Sequence, residues 1–495
     1  MLHKDKKSTI SFALPDYVQK VTRMLHKEGF QVHLVGGALR DVVLGIKPDD
    51  WDLATNAKPD KMLNIFPKSV STGAKFGMIS ALIPDKFGEI EEVQVTTFRS
   101  EEKYVDGRWP TEVKFIEDID RDLGRRDFTF NAMAVDLTQG SLDGSDKIQQ
   151  WDLYDPFGGL RDLDHKLVRA VGTPLERFKE DGLRAYKACR MAAQLGFEIE
   201  TETLQAIKKA IPVAKLVSME RIRDEFMKML LNSSKPSVGI DLMRKTGLLE
   251  IFLPELLEGY GVEQKVYHAD DVYWHSLRTV DVAPDNIKLA ALLHDIAKPR
   301  CDMGDGHFYG HDKEGSKMTG EIMQRMKFSK ADIKRTQLLV MNHMFYYPHA
   351  EEGMSEAEIE YIKEHEWSDA AVRRFIARVG EENIEDLFAL RIADATSNPK
   401  SAFNPEEIQL LQHRISEVRQ YDMALKVKDL AIDGNDLLKM GVKAGPNVGR
   451  VLDYLLERVL DDPLINTKEQ LLSKARKYLE SGDESKKSGD EPKNN

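Results

Sequence analysis

The chain has 495 residues, of which 41% are hydrophobic and 31% charged, proportions of an ordinary globular protein with room for roughly three to four domains. Two cysteines, Cys189 and Cys301, exclude a disulfide scaffold, and no run approaches the ~20 apolar residues that would span a bilayer, so the reading is an intracellular, cytoplasmic protein with no membrane partner. The net charge of −12 argues against indiscriminate nucleic-acid binding but leaves room for a local basic surface.

Residues 1–30 read as a polar lead-in followed by one helix. Pro15 suits its start, and Val18, Val21, Met24 and Leu25 fall on one face. From Val32 the pattern changes. VHLV is a short apolar strand, Gly36-Gly37 breaks it, and ALRDVVL is helical. Adjacent glycines at a strand-to-helix turn let backbone N–H groups approach a phosphate at the positive end of a helix. Asp50-Trp51-Asp52 follows in a second strand-like piece. Residues i and i+2 of a strand face one side, so Asp50 and Asp52 would aim two carboxylates at one point, an arrangement that holds Mg²⁺ beside a triphosphate. A glycine pair or an Asp-x-Asp alone is commonplace; their order here is specific. GGALRD followed by DWDLAT resembles the signature of the class II tRNA nucleotidyltransferases, a family that includes CCA-adding enzymes, their split CC- and A-adding relatives and bacterial poly(A) polymerases.

Downstream, Lys58-Pro59-Asp60 opens another helix, and strand-like pieces lie at 78–83 and 93–98, which predicts a small mixed α/β head. Members of the resembled family commonly carry Glu where this chain has Gln94. Glu92 lies on the same face by period two, but only Asp50 and Asp52 are assigned as metal ligands. The polar stretch EEKYVDGRWP, 101–110, lacks periodicity and reads as a mobile loop; it resembles the flexible loop of enzymes that add the terminal A. In DLGRRDFTFNAMAVD, the pattern Arg125-Arg126-Asp127 suits phosphate oxygens and ribose hydroxyls. The resemblance extends the nucleotide-binding set to Gly36, Gly37, Arg40 and Asn131. Asp155-Pro156-Phe157-Gly158-Gly159 resembles the family's hinge between head and neck.

From about Phe178 the chain turns helical. Glu180, Asp181 and Arg184 are placed within one helical turn. They resemble the family's protein template, in which carboxylate and guanidinium pair with the edge of an incoming C or A. As an isolated pattern they would be an ordinary helix salt bridge. Basic residues on the same helices, Lys187, Arg190, Arg221, Arg223 and Lys228 among them, suit a surface that reads the tRNA backbone.

A second constellation follows. His275, His294-Asp295 and Asp394 resemble the ligand set of HD phosphohydrolases. His311 and His343 sit where members with a second metal carry extra histidines, and Lys298 is placed to meet a phosphate. Neutral imidazoles with a carboxylate suit a first-row transition metal. The C-terminal helical region resembles the tail of bacterial CCA-adding enzymes, and the polar end should be disordered.

The expected fold class is α+β: a small mixed α/β nucleotidyltransferase head followed by all-α neck, body, HD and tail domains. The boundaries read as an N-terminal helix over 1–30, the head over 31–158, neck and body over 159–265, the HD domain over 266–400, the tail over 401–478 and disorder over 479–495. The resemblance implies addition of the 3′-terminal CCA of tRNA from CTP and ATP, with Mg²⁺ in the head, a divalent transition metal in the HD site and no DNA partner. Alternatives are A-only addition or poly(A) synthesis, an HD nucleotide or RNA-end phosphohydrolase with a regulatory head, and a non-catalytic tRNA-binding protein.

Overall fold

A computed structural model describes residues 8–105, 109–264, 270–304, 307–348, 354–400, 404–420 and 426–487. The chain divides into two compact units: Met1–Glu258 with Arg325–Lys327, and Gly259–Gln324 with Phe328–Asn495.

The first unit contains the head, whose strands are β1 (Ser8–Ala13), β2 (Val32–Val35), β3 (Asp52–Thr55), β4 (Ser69–Val70), β5 (Met78–Pro84), β6 (Ile90–Thr97), β9 (Ala134–Asp136) and β10 (Ile148–Tyr154). These form one mixed sheet in the order β1-β10-β9-β2-β3-β6-β5-β4. Strand β2 is buried at all four positions, as a central strand covered on both faces must be. It runs antiparallel to β3 and β9, and β3 runs parallel to β6. The helices α1 (Asp16–Lys27) and α3 (Pro59–Ile65) match the expected starts at Pro15 and Pro59, whereas α2 (Gly36–Val43) begins two residues before the helical pattern read from Ala38.

Two expectations for the head are corrected. The first residues are more than a lead-in to one helix. Strand β1 pairs antiparallel with β10, and Phe12 stacks on Trp151 with ring centroids 5.3 Å apart. Only Ile10 and Phe12 are large apolar residues in that strand, too few to signal it by period. The stretch 101–110 is also not a structureless loop. It belongs to a two-stranded ribbon of β7 (Arg99–Val105) and β8 (Trp109–Phe115), with residues 106–108 outside the described ones. Pairing of this kind is made by backbone groups, which hydropathy does not report.

After α4 (Ile119–Gly124) and β10, helix α5 (Gly159–Asp164) opens the helical part of this unit. The Asp155 carboxylate accepts from the N–H groups of Gly159 at 2.7 Å and Leu160 at 2.9 Å, so the hinge is a helix cap. Gly159 packs so closely on the Thr129 carbonyl that a Cβ would lie 2.4 Å from its oxygen.

The helix expected from Phe178 onward is interrupted: α6 (Pro174–Glu180) stops, and α7 (Leu183–Leu195) starts after Asp181 and Gly182. Asp181 is extended, and a Cβ on Gly182 would sit 2.7 Å from the Val213 carbonyl oxygen. Close approach of another backbone therefore overrides the helical period here.

The second unit is helical. One core lies among Ile287, Leu339, Phe345, Phe375, Leu387 and Phe388, and another among Leu437, Val451, Leu455, Val459 and Leu471. The last helix, Lys468–Lys487, runs beyond the boundary expected at 478, correcting the disorder expected to begin at 479; residues 488–495 are outside the described ones. Extending a formed helix needs no new nucleus, so a polar sequence can continue it.

Candidate active sites

In the head, β2 passes directly into α2 through Gly36, whose φ is +71°. A side chain there would be strained, and its Cβ would lie 3.1 Å from Asp52 Oδ2 and 3.2 Å from Arg126 Nη1. The backbone turn, the carboxylate and the guanidinium thus meet at one point. Asp52 begins β3, while Asp50 lies in the bend before it and is exposed. The expectation that both share a strand is corrected, although they remain electrostatic neighbours. Burial pushes the Asp52 carboxyl above the ordinary carboxylate range; Asp50 and Asp41 push the same way, against Arg126 and Arg40. Among the described residues none donates a hydrogen bond to Asp52. A half-buried carboxylate so placed, with a second acid beside it, fits a divalent cation. Gln94 is the register partner of Asp52 across the parallel β3–β6 pair, whereas Glu92 is opposite Leu82 and exposed.

The arginines are held by a residue that the motif reading passed over. Asp122 is 1% exposed and accepts from Arg125 Nε at 3.0 Å, Arg125 Nη2 at 2.8 Å, Arg126 Nη2 at 3.2 Å and the Arg99 N–H at 3.2 Å. Burial alone would raise its pKa, but Arg125 and Arg126 bring it below the ordinary value. Its spacing of three and four residues before the arginines, on a helix, was the available signal.

A second chain of contacts runs through Asn131. Its amide donates to Asp127 Oδ1 at 3.0 Å and its Oδ1 accepts from Arg40 Nη1 at 3.3 Å. Arg40 also grips Asp41, with Nε 2.8 Å from Oδ1. Lys187 Nζ is 3.9 Å from Asp127 Oδ2. Burial disfavours the Asp127 charge, yet Lys187, Asn131, Arg184 and the Phe128 N–H together lower its pKa. Gly37 stands beside Arg40, with no backbone or carboxylate crowding it.

Glu180, Asp181 and Arg184 come together across the α6–α7 break instead of along one helical turn. Arg184, 9% exposed, donates to Glu180 Oε2 at 2.6 Å, the Arg177 carbonyl at 3.2 Å and the Arg125 carbonyl at 2.9 Å. Glu180 Oε1 lies 2.6 Å from Arg177 Nη2, and Asp181 accepts from Arg221 at 2.8 Å and from the Leu183 N–H at 3.0 Å. The Arg184–Arg125 bond ties this group to the arginine pair of the head. Arg177 was not foreseen, and Arg221, expected on the surface that reads the tRNA backbone, pairs with Asp181.

In the second unit His275, His294, Asp295 and His343 are each 1% exposed and His311 is 7% exposed. Helices Val272–Val282, Lys288–Leu293, His311–Arg325, Lys330–Asn342 and Ile384–Ser397 deliver them, with Asp394, to one centre. Asp295 is shared. Its Oδ2 lies 3.2 Å from His294 Nε2 and 3.6 Å from His275 Nε2; its Oδ1 lies 3.4 Å from His311 Nε2 and 3.6 Å from His343 Nε2. Asp394 Oδ1 joins the first group, 2.9 Å from His275 Nε2 and 3.6 Å from His294 Nε2.

The opposite nitrogens are pinned. Nδ1 of His294, His311 and His343 donates to the carbonyls of Ala291, Phe308 and Val340 at 2.8, 2.7 and 2.7 Å, which turns each Nε2 inward. His294 Nε2 is buried without a hydrogen-bond partner, and Asp295 Oδ2 is buried against the Lys298 ammonium. Burial opposes the His294 cation, but Asp295 and Asp394 hold its pKa above the ordinary imidazole value. Burial likewise opposes the Asp295 charge, and His294 with Lys298 holds it well below the carboxylate range. Converging Nε2 atoms, one of them buried without a hydrogen-bond partner, and two triads sharing one carboxylate fit one or two divalent metals. Lys298 Nζ is 2.6 Å from Asp295 Oδ2 and 2.6 Å from Gln264 Oε1.

Four family profiles match the chain: the Poly A polymerase head domain over residues 32–169, the RNA and SrmB-binding site of polymerase A over 196–259, the HD domain over 261–398 and tRNA nucleotidyltransferase domain 2 over 354–475. A CCA-adding enzyme of Bacillus licheniformis is 32% identical over 454 residues, 91% of this chain and 94% of that protein. One of Ligilactobacillus salivarius is 30% identical over 479 residues, 94% of this chain and 98% of its own length. The fold is similar to that of the Bacillus stearothermophilus CCA-adding enzyme solved in complex with CTP, with a TM-score of 0.64 at 23% identity over 95% of this chain and 98% of that one. No described helix is long and apolar enough to cross a membrane. With the head's acid pair and the HD cluster on one chain, and relatives matched over nearly their whole length, this protein belongs to the family of the CCA-adding enzymes, the tRNA nucleotidyltransferases.

Proposed function

We propose that the chain adds and repairs the 3′-terminal CCA of tRNA, taking CTP and ATP and no nucleic-acid template, in the cytoplasm. The observation that carries this reading is the meeting of Gly36, Asp52 and Arg126 at the turn from β2 into α2. The N–H groups at the start of α2, with Arg40 and Arg126, bind the triphosphate. Asp50 and Asp52 would hold Mg²⁺, which would neutralise the charge developing on the phosphates. Asp127, fixed by Asn131 and Lys187, accepts from the ribose. Glu180, Asp181 and Arg184 take the edge of the base. Basic residues of the helical body follow the tRNA backbone.

The test is incubation of tRNA lacking CCA with labelled CTP, ATP or both. Ordered addition of C, C and A supports the reading. AMP incorporation alone would point to A-only addition or poly(A) synthesis instead.

A second activity is supported by the HD cluster. Its four histidines, Asp295 and Asp394 would hold a divalent metal, whose Lewis acidity serves hydrolysis of phosphate esters. In that reaction an oxygen of water is added to phosphorus, the ester P–O bond breaks, and the leaving oxygen takes the proton. The proposed substrates are phosphorylated or cyclic-phosphate RNA ends.

A further inference from the structure

We propose that the HD site binds nucleotides in a defined pose: the phosphate on Gln264 and Lys298, the base on the ring pair of His307 and Tyr309. This rests on the phosphohydrolase reading of the HD cluster and adds the residues that choose its substrate.

The phosphate end stands on an orphaned donor. Gln264 is 4% exposed, and its Nε2 is buried with no hydrogen-bond partner among the described residues. A buried amide N–H left unpaired costs the full loss of its hydration. The amide cannot simply be turned over, because its Oε1 accepts from Lys298 Nζ at 2.6 Å, and a flip would set two donors against each other. The same Lys298 Nζ reaches Asp295 Oδ2 at 2.6 Å, so the orphaned donor is two contacts away from the carboxylate shared by both histidine groups. An ammonium and an amide N–H side by side suit the non-bridging oxygens of a phosphate.

The base end follows from the segment leading into the ligand His311. Phe308 turns toward the site: its ring lies 5.7 Å from Lys298 Nζ, and its carbonyl accepts from His311 Nδ1. The residues on either side of Phe308, His307 and Tyr309, stack on each other with centroids 5.3 Å apart and planes at 17°. Tyr309 is nevertheless 74% exposed. A stacked aromatic pair whose outer ring is open to water is a platform for a nucleobase. It stands one residue from the side chain that packs on Lys298.

The test uses full-length protein loaded with Mn²⁺, in an Asp52→Ala background that removes the head's metal. Calorimetry measures binding of orthophosphate and of AMP, and elemental analysis measures Mn²⁺ content. The same protein carrying His294→Ala and Asp295→Ala serves as the blank. AMP should bind at least about fivefold more tightly than orthophosphate, the gain coming from stacking. Tyr309→Ala should bring the two affinities within about twofold of each other by removing that gain, with orthophosphate binding kept. Gln264→Glu still accepts from Lys298 but presents an anion to the phosphate; it should weaken both probes about tenfold or more at unchanged Mn²⁺ content. Gln264→Met removes the donor without adding charge and should weaken both in the same direction. Equal affinities for the two probes, or unchanged binding by both Gln264 variants with Mn²⁺ present, would overturn the pose alone. Failure of the protein to take up Mn²⁺ above the blank would overturn the phosphohydrolase reading beneath it.

Discussion

The head and HD sites both gather acids around a point, but they differ in access. In the head, Asp50 is exposed and Asp52 half-buried, with Arg40 and Arg126 close by. In the HD site four imidazoles are nearly sealed from solvent, and backbone carbonyls fix three of them from behind. An open pair of carboxylates flanked by cations suits a metal that arrives with an anionic substrate and leaves with pyrophosphate. A closed set of imidazole nitrogens held in place from behind suits a metal that stays. The first site must be emptied at every turnover; the second has no such need.

The largest expected effect separates the two. Asp52→Ala should lower incorporation of labelled CTP and ATP on the order of a thousandfold or more, with hydrolysis of a phosphate ester unchanged. His294→Ala with Asp295→Ala should do the reverse. Either variant impairing both activities would break the separation.

The next effect concerns what holds the head site. Asp122→Ala leaves Arg125 and Arg126 without their shared buried carboxylate, and should cost the head about 3–5 kcal/mol, read as an earlier urea transition. A head as stable as before would mean that Asp122 is not the anchor.

Base choice comes third. Arg184→Ala should reduce discrimination against UTP and GTP by about 1–3 kcal/mol, with tRNA affinity kept within about twofold. Incorporation of each of the four NTPs onto tRNA ending in CC, and onto tRNA lacking CCA, decides this. Unchanged preference at unchanged rate would return these residues to an ordinary ion-pair network.

The smallest effect sharpens the contrast between open and closed acids. A carboxylate whose pKa is raised on folding opposes the fold wherever it is ionised. The opposition is complete above the folded pKa and vanishes below the unfolded one. Without Mg²⁺, Asp52→Asn should therefore melt about 1–3 °C higher at neutral pH, a gain that disappears as pH falls below the ordinary carboxylate range. A lower melting temperature at neutral pH would show that the Asp52 charge is compensated.

The sequence carried the chemistry better than the geometry. Gly36, Asp52 and the His294-Asp295 pair were legible because each belongs to a short motif whose parts meet within a few residues. The strand-like pieces read at 78–83 and 93–98 fall on β5 and β6, although β6 begins three residues earlier, at Ile90. Strand β1 and the ribbon 99–115 were not legible, since one has few apolar residues and the other is joined by backbone bonds. The α6–α7 break had a signal in Gly182, overruled by the apolar face continuing beyond it. Gln264 had none: it meets Lys298 across 34 positions, and nothing in local composition announces such a contact. Which oxygen of Asp295 serves which histidines is likewise a property of packing alone.

If the HD site takes up two metals, that shared carboxylate couples them. One oxygen faces His275 and His294, the other His311 and His343. A first ion would draw electron density from the group the second needs, while also fixing its orientation. The two dissociation constants would then not be independent, and by linkage each ion would alter the other's affinity by the same factor. Truncating His311 would convert a two-step binding isotherm into a one-step one, whereas truncating Asp295 would remove both steps together.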